Sequence, residues 1–218
     1  MSSSAARRAY SHGEEVANSI THGLGVLFSI VGLVLLVAIA ARNHDIWQVV
    51  SCAIYGSTLL LLYTASTLYH SIPLPVPKRI LQTLDHIAIF LLIAGTYTPF
   101  SLISLRDSWG WPLFYSIWGL ALLGVLIELS FLKRYHAMQV GLYIAMGWIA
   151  LIAIKPLMAA VPYDGLVLLF AGGIAYTFGV IFYVWRSMRY HHALWHLFVL
   201  AGSVLHYFAV LFYVLPRA

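Results

Sequence analysis

Charge and cysteine are both scarce in this chain. Charged residues make up 9% of its 218 positions, against about a quarter in ordinary soluble domains, so a water-facing globular fold is excluded. Cysteine occurs once, at Cys52, which excludes an internal disulfide and any CxxC metal or redox site. Cys52 is read as a packed apolar residue. The stretch Met1 to Asn18 has no short apolar core followed by a small-residue cleavage site, so no removable signal peptide is read. The first helix is expected to act as an uncleaved anchor.

What the chain has instead is apolar length. Hydrophobic residues reach 62%, and about 20 consecutive apolar residues suffice for one helical crossing of a bilayer, where every backbone polar group must be bonded internally. The sequence predicts seven spans: Ser19 to Ala40, Trp47 to Tyr69, Ile80 to Leu102, Trp111 to Phe131, Met138 to Leu157, Leu166 to Trp185 and Ala193 to Leu215. Arg42 to Asp45, the prolines Pro73, Pro75 and Pro77, Arg106-Asp107, Lys133-Arg134, Pro162 with Asp164-Gly165, and Arg186 to Arg189 separate them. The expected architecture is an all-α seven-helix membrane domain over residues 19–218, preceded by a short segment 1–18.

Basic residues orient such a bundle, because Lys and Arg concentrate in short cytoplasmic loops. One face collects eight (Arg7, Arg8, Lys78, Arg79, Lys133, Arg134, Arg186, Arg189) and the other four (Arg42, Arg106, Lys155, Arg217). The N-terminus is therefore expected in the cytoplasm and the C-terminus outside, and Asp45, Asp107 and Asp164 fall on the outer face. The net charge of +5 reflects topology rather than affinity for nucleic acid.

Ionisable groups inside a membrane are costly and face the bundle interior, each other or a ligand. With this topology, His70 ends the second helix, Asp85 lies about one turn into the third, and His192 and His196 open the last, all at one level near the inner boundary. His192 and His196 are four apart and so lie on one helix side. Together with His70 they could supply the three protein ligands of an open zinc site. Asp85 would then take a proton from metal-bound water, and Ser66, one turn before His70, would offer a hydroxyl.

Each of these has a plainer reading. An HxxxH pair alone is weak evidence for metal, Ser66 could bond its own i−4 carbonyl, and Asp85 could pair with Lys78 or Arg79 reaching along the boundary. His191 is expected to face headgroups, and His206, about 15 Å deeper than His196 at 1.5 Å per residue, to be packed or hydrogen-bonded. His22 is either a fourth ligand or supporting neighbour of the site, or a packing histidine beside Gly23 and Gly25. Glu128 is expected to pair with Lys133 or Arg134. Ala171, Ala175 and Gly179 form a small-residue face on the sixth helix, and Trp47, Trp109, Trp111 and Trp185 suit membrane interfaces.

Ser66-Thr67-Leu68-Tyr69-His70, Leu84-Asp85, and His192-Ala193-Leu194-Trp195-His196 followed by His206 resemble the ordered motifs of the hemolysin III family. That family is the bacterial branch of the progestin and adipoQ receptor (PAQR) superfamily, itself more distantly related to alkaline ceramidases. The resemblance runs from Glu14 to His22 through the last helix. It implies a seven-helix bundle with the N-terminus inside, and zinc (Zn2+) held near the cytoplasmic side by His70, His192 and His196. It also places Asp85 beside the metal-bound water and matches Ser66 to a family serine. A long cytoplasmic N-terminal domain, as in the receptor members, is lacking, so hormone sensing is not supported.

Two function classes stay open: a zinc-dependent hydrolase acting on a lipid amide or ester, with membrane lipids as partners, and a non-enzymatic homeostasis or sensing protein with structural zinc. A cytolytic reading is carried by the family name. It is supported poorly, because the polar groups read from sequence gather at one end. Sequence leaves the oligomeric state undetermined.

Overall fold

The computed structural model describes residues 10–215. Arg7, Arg8 and Arg217, used in the charge count, lie outside them. Seven helices long and apolar enough to cross a membrane occur among the described residues: α1 His12–Arg42, α2 Ile46–Ser71, α3 Pro75–Ser104, α4 Gly110–Leu129, α5 His136–Ala160, α6 Tyr163–Val184 and α7 His191–Val214. Among the described residues there is no strand. The chain is an all-helical, multi-pass membrane protein.

Local chemistry sets the ends. The first helix begins at His12 rather than Ser19 because Ser11 and Glu14 form a reciprocal capping box: the Glu14 amide donates to Ser11 Oγ at 3.3 Å and the Ser11 amide to Glu14 Oε2 at 2.8 Å. This early start carries Glu15, Asn18 and His22 into the bundle. Asp45 caps α2 by accepting from the Trp47 amide at 2.8 Å. Pro75 and Pro77 sit in the first turn of α3 instead of separating it from α2. A proline there forfeits only amides that have no helical partner. Pro99 lies inside α3, and the turns after it widen to a π-helix over Phe100–Ser104. A 3-10 segment, Ile149–Ala153, interrupts α5, and α7 ends in a second π-helical turn, Val210–Val214.

Helices α2 and α3 are the most enclosed and α5 the least. The core joins Leu36, Tyr55, Leu59, Phe100, Leu113 and Val199 from five helices, while Leu27, Phe28, Val31 and Val34 leave α1 an apolar outer face suited to lipid. Cys52 is free and fully buried, as expected. On α6 the buried small residues are Gly165, Gly172 and Gly179, seven apart. Ala171 and Ala175 are only half-buried, so the expected close face is corrected to this glycine stripe. A Cβ at Gly172 would come within 2.5 Å of His206 Nε2, so the missing side chain is what lets α7 approach.

Candidate metal centre and lipid-sized cavity

Two helices bring His70, from the end of α2, together with His192 and His196, from the first turns of α7. One ligand nitrogen from each lies within 4.8 Å of the others, and the residues are 3%, 8% and 1% exposed. The ring centroids stand 5.0 Å apart for His70 and His192, 5.2 Å for His70 and His196, and 4.5 Å for His192 and His196.

Their hydrogen bonds decide which nitrogen is bare. His70 Nδ1 lies 2.6 Å from Glu15 Oε2 and 3.3 Å from Asn18 Nδ2. The carboxylate can only accept, so Nδ1–H donates and Nε2 keeps its lone pair, buried and without a protein partner. His196 Nδ1–H is directed at the Asn18 carbonyl and at Thr21 Oγ1, both at 3.2 Å, which likewise leaves Nε2 as an acceptor. Neither ring nitrogen of His192 has a protein partner. Buried acceptors left bare, as on His70 and His192, are costly, and with His196 in the same cluster a divalent cation would relieve them. The donor set therefore fits a metal that favours imidazole, such as zinc.

The supports behind these rings were not legible as such from sequence. Glu15 bridges His70 and Lys78, whose Nζ lies 2.9 Å from Glu15 Oε1 and donates to the Tyr69 carbonyl at 2.9 Å. Carboxylate–histidine pairing of this kind orients metal ligands and raises their basicity. The available signal was Glu15, Asn18 and His22 at near-helical spacing in front of the first apolar run. Lys78 is thereby committed to Glu15, not to Asp85. Asp85 is buried and faces Ser66, His70 and His86. Ser66 Oγ, fully buried, sits near that carboxyl without closing a hydrogen bond of normal geometry.

His22 lies outside the three-ligand group. Its ring stacks on His196 with centroids 3.5 Å apart and planes at 12°, and its edge meets Tyr63 at 5.0 Å. Tyr10 closes the cluster from outside the helices, its ring 5.2 Å from His192 and 5.9 Å from His70. Burial pushes the Tyr10 hydroxyl above its ordinary range, so it stays neutral.

Two expectations are corrected. His191 is buried, with Nδ1 2.9 Å from the Phe182 carbonyl, because Tyr190 adopts a left-handed conformation (φ 56°) that turns the start of α7 back against α6. Glu128 does not pair with Lys133 or Arg134. The 3-10 turn after α4 carries both outward, and Glu128 faces inward to His86 Nδ1 at 3.2 Å and to the Gln139 amide.

The centre opens into a cavity of about 390 Å³ whose wall comes from every helix except α4. Glu15, Lys78, Asp85 and His192 line its inner end, and Ile89, Leu92, Val140, Ile144, Val199 and Trp148 its length. His206 lines its deep end, hydrogen-bonded to the Leu169 carbonyl at 2.9 Å. Polar groups therefore do not gather at one end only. Tyr63, Ser203, Tyr176 and His206 make a second polar zone deeper in the bundle.

The comparisons with known proteins agree with this fold. The chain is 50% identical over 200 residues to the hemolysin-3 homolog of Bacillus subtilis (strain 168), covering 92% of this chain and 94% of the relative. It is 48% identical over 205 residues to hemolysin-3 of Bacillus cereus, covering 94% of each. It is 28% identical over 205 residues to the human monocyte to macrophage differentiation factor, covering 90% of this chain and 83% of that protein. No solved structure matches. The model of the family described as haemolysin-III related matches residues 10–207, from Tyr10 over the histidine cluster into α7 past His206, and the chain belongs to that family.

Proposed function

We propose that this protein holds a zinc ion with His70, His192 and His196 at the cytoplasmic end of the bundle and hydrolyses an amide or ester bond of a membrane lipid. The observation that carries the reading is the join between a buried three-imidazole cluster and a mainly apolar cavity of about 390 Å³, within the range of small-molecule sites. Bound there, zinc would supply Lewis acidity toward a carbonyl and acidify water.

The chain's own groups do the rest. Asp85, at the cavity wall next to His86, is placed to accept a proton and pass it to a leaving amine or alcohol. Ser66, on α2 beside the Asp85 carboxyl, offers a hydroxyl toward developing negative charge. Glu15 and Asn18 fix the histidine tautomers, and Tyr10 shields the centre from cytoplasmic water. The apolar length of the cavity takes an acyl chain and excludes water from the scissile bond.

The second reading, a structural zinc in a homeostasis or sensing protein, would be favoured by a closed four-ligand shell. His22 stacks flat on His196 and lies outside the ligand group, which supports the open site. A cytolytic role is suggested only by the relatives' names.

The test uses full-length protein purified in detergent. Zinc at about one ion per chain, lost in His70→Ala, and fatty acid released from a defined lipid class by wild type but not by Asp85→Asn, is the expected result. Stoichiometric zinc with no fatty acid released from any membrane lipid class, and His196→Ala indistinguishable from wild type, would overturn the hydrolase. Dye leakage from protein-free-lipid vesicles on addition of the purified chain would favour the cytolytic reading.

A further inference from the structure

The deep end of the cavity has a built polar subsite that the proposed hydrolysis does not use. Three helices contribute to it. Tyr63 on α2 is 1% exposed, and its hydroxyl donates to Ser203 Oγ on α7 at 2.7 Å. Ser203 Oγ is also 2.7 Å from the Tyr176 hydroxyl on α6. The Tyr176 ring lies 5.4 Å from that of His206, and both line the cavity.

Proton bookkeeping fixes what this zone presents. Ser203 Oγ accepts from Tyr63 and can donate its own proton to the Tyr176 oxygen. In that arrangement the Tyr176 proton is free to donate to a ligand. His206 Nε2 faces a carbonyl, which can only accept, so Nε2 carries the hydrogen. In the neutral ring Nδ1 is a bare acceptor, and it is buried without a protein partner. Tyr176 and His206 thus bring a donor and an acceptor to the end of an apolar chamber, with Nδ1 buried just behind its lining.

The packing shows that these positions are held. Tyr176 lies on Gly202, where a Cβ would stand 2.8 Å from its ring, and His206 lies on Gly172. Two glycines on facing helices therefore seat the two rings against each other's helix.

We propose that this subsite recognises a hydroxyl group on the lipid chain, which accepts from Tyr176 and donates to His206 Nδ1. A hydroxyl is both donor and acceptor and so fits both groups with one atom. A ketone or ether could satisfy Tyr176 alone. From His196 to His206 the helix rises about 15 Å at 1.5 Å per residue. An extended covalent chain advances about 1.2 Å per bond, a third of a residue's span, so the hydroxyl sits about a dozen bonds from the reacting carbonyl. The preferred ligand is thus a long-chain acyl group hydroxylated near its middle. This deepens the lipid-chamber reading of the cavity and needs no turnover.

The test is equilibrium binding of free fatty acids to the purified full-length chain. Displacement of a fluorescent fatty acid compares 12-hydroxyoctadecanoic acid, octadecanoic acid and 2-hydroxyoctadecanoic acid. The expected result is that the 12-hydroxy acid binds about tenfold more tightly than the other two, the ratio expected of one well-made buried hydrogen-bond pair. Tyr176→Phe, which keeps the ring, should reduce the ratio to near unity while octadecanoic acid still binds. That second measurement separates loss of recognition from loss of fold. Equal binding of all three acids to wild type overturns the hydroxyl subsite and leaves the chamber intact. An undiminished preference in Tyr176→Phe also overturns it. Failure of every acid to bind overturns the chamber itself.

Discussion

The two polar zones of the cavity use the same residue type to opposite ends. At the inner end, His70 and His196 each spend Nδ1 on a fixed acceptor, Glu15 and the Asn18 carbonyl, and keep the Nε2 lone pair within a three-imidazole cluster. At the deep end, His206 spends Nε2 on the Leu169 carbonyl and leaves Nδ1 alone, with a hydroxyl relay beside it instead of other imidazoles. The first arrangement fits a cation and the second a neutral hydrogen-bonding group. What separates them is the backing of each ring, since an imidazole becomes ligand or acceptor according to the bond its other nitrogen makes. Charge follows the same division. Glu15, Lys78 and Asp85 surround the inner cluster, near the boundary where ionised groups are cheapest, whereas the deep zone is made of hydroxyls and one ring.

The largest effect that would break this contrast comes from the ligands. In His196→Ala, zinc content measured by elemental analysis should fall to background while the preference for 12-hydroxyoctadecanoic acid persists. Loss of both together would mean that the two zones act as one. Asp85→Asn follows, with zinc retained and lipid hydrolysis reduced about 10²- to 10⁴-fold, the usual contribution of a positioned acid–base group. Retained activity in that variant would remove Asp85 from the chemistry. Glu15→Gln sharpens the comparison from the other side. It keeps the shape but weakens the acceptor behind His70, and competition with a chelator should show zinc affinity reduced about 10- to 100-fold. An unchanged affinity would make the Glu15–Lys78 pair a packing device. The smallest effect is at Gly172→Ala, where overpacking against His206 should cost about 1 to 3 kcal/mol of stability, read as a lower thermal midpoint with zinc content unchanged.

How much of this was legible in the sequence varies with the distance over which the information is carried. The seven spans and the inner-face level of His70, Asp85, His192 and His196 follow from apolar run lengths and helical spacing, which are local. The apolar run points to Ser19 as the beginning of α1, whereas the cap sets it at His12. Ser11 and Glu14 have capping-box spacing, and only their mutual bonds reveal that Glu15 and Asn18 lie within the bundle. Sequence proximity pairs Glu128 with Lys133 or Arg134, but the turn after α4 points both outward and leaves His86 and Gln139 as its partners. The deep zone was invisible, since Tyr63, Tyr176, Ser203 and His206 show no common spacing.

Composition and periodicity alone fixed the class of this protein, a seven-helix membrane bundle with three histidines at one level, because burial in lipid forces apolar length and internal backbone bonding on each span separately. The tertiary structure alone decided which nitrogen of each histidine is bare, which acid stands behind His70, and that a second polar zone faces the far end of the cavity. Those properties are set by contacts between helices, where a side chain's partner is chosen by packing and not by its place in the chain.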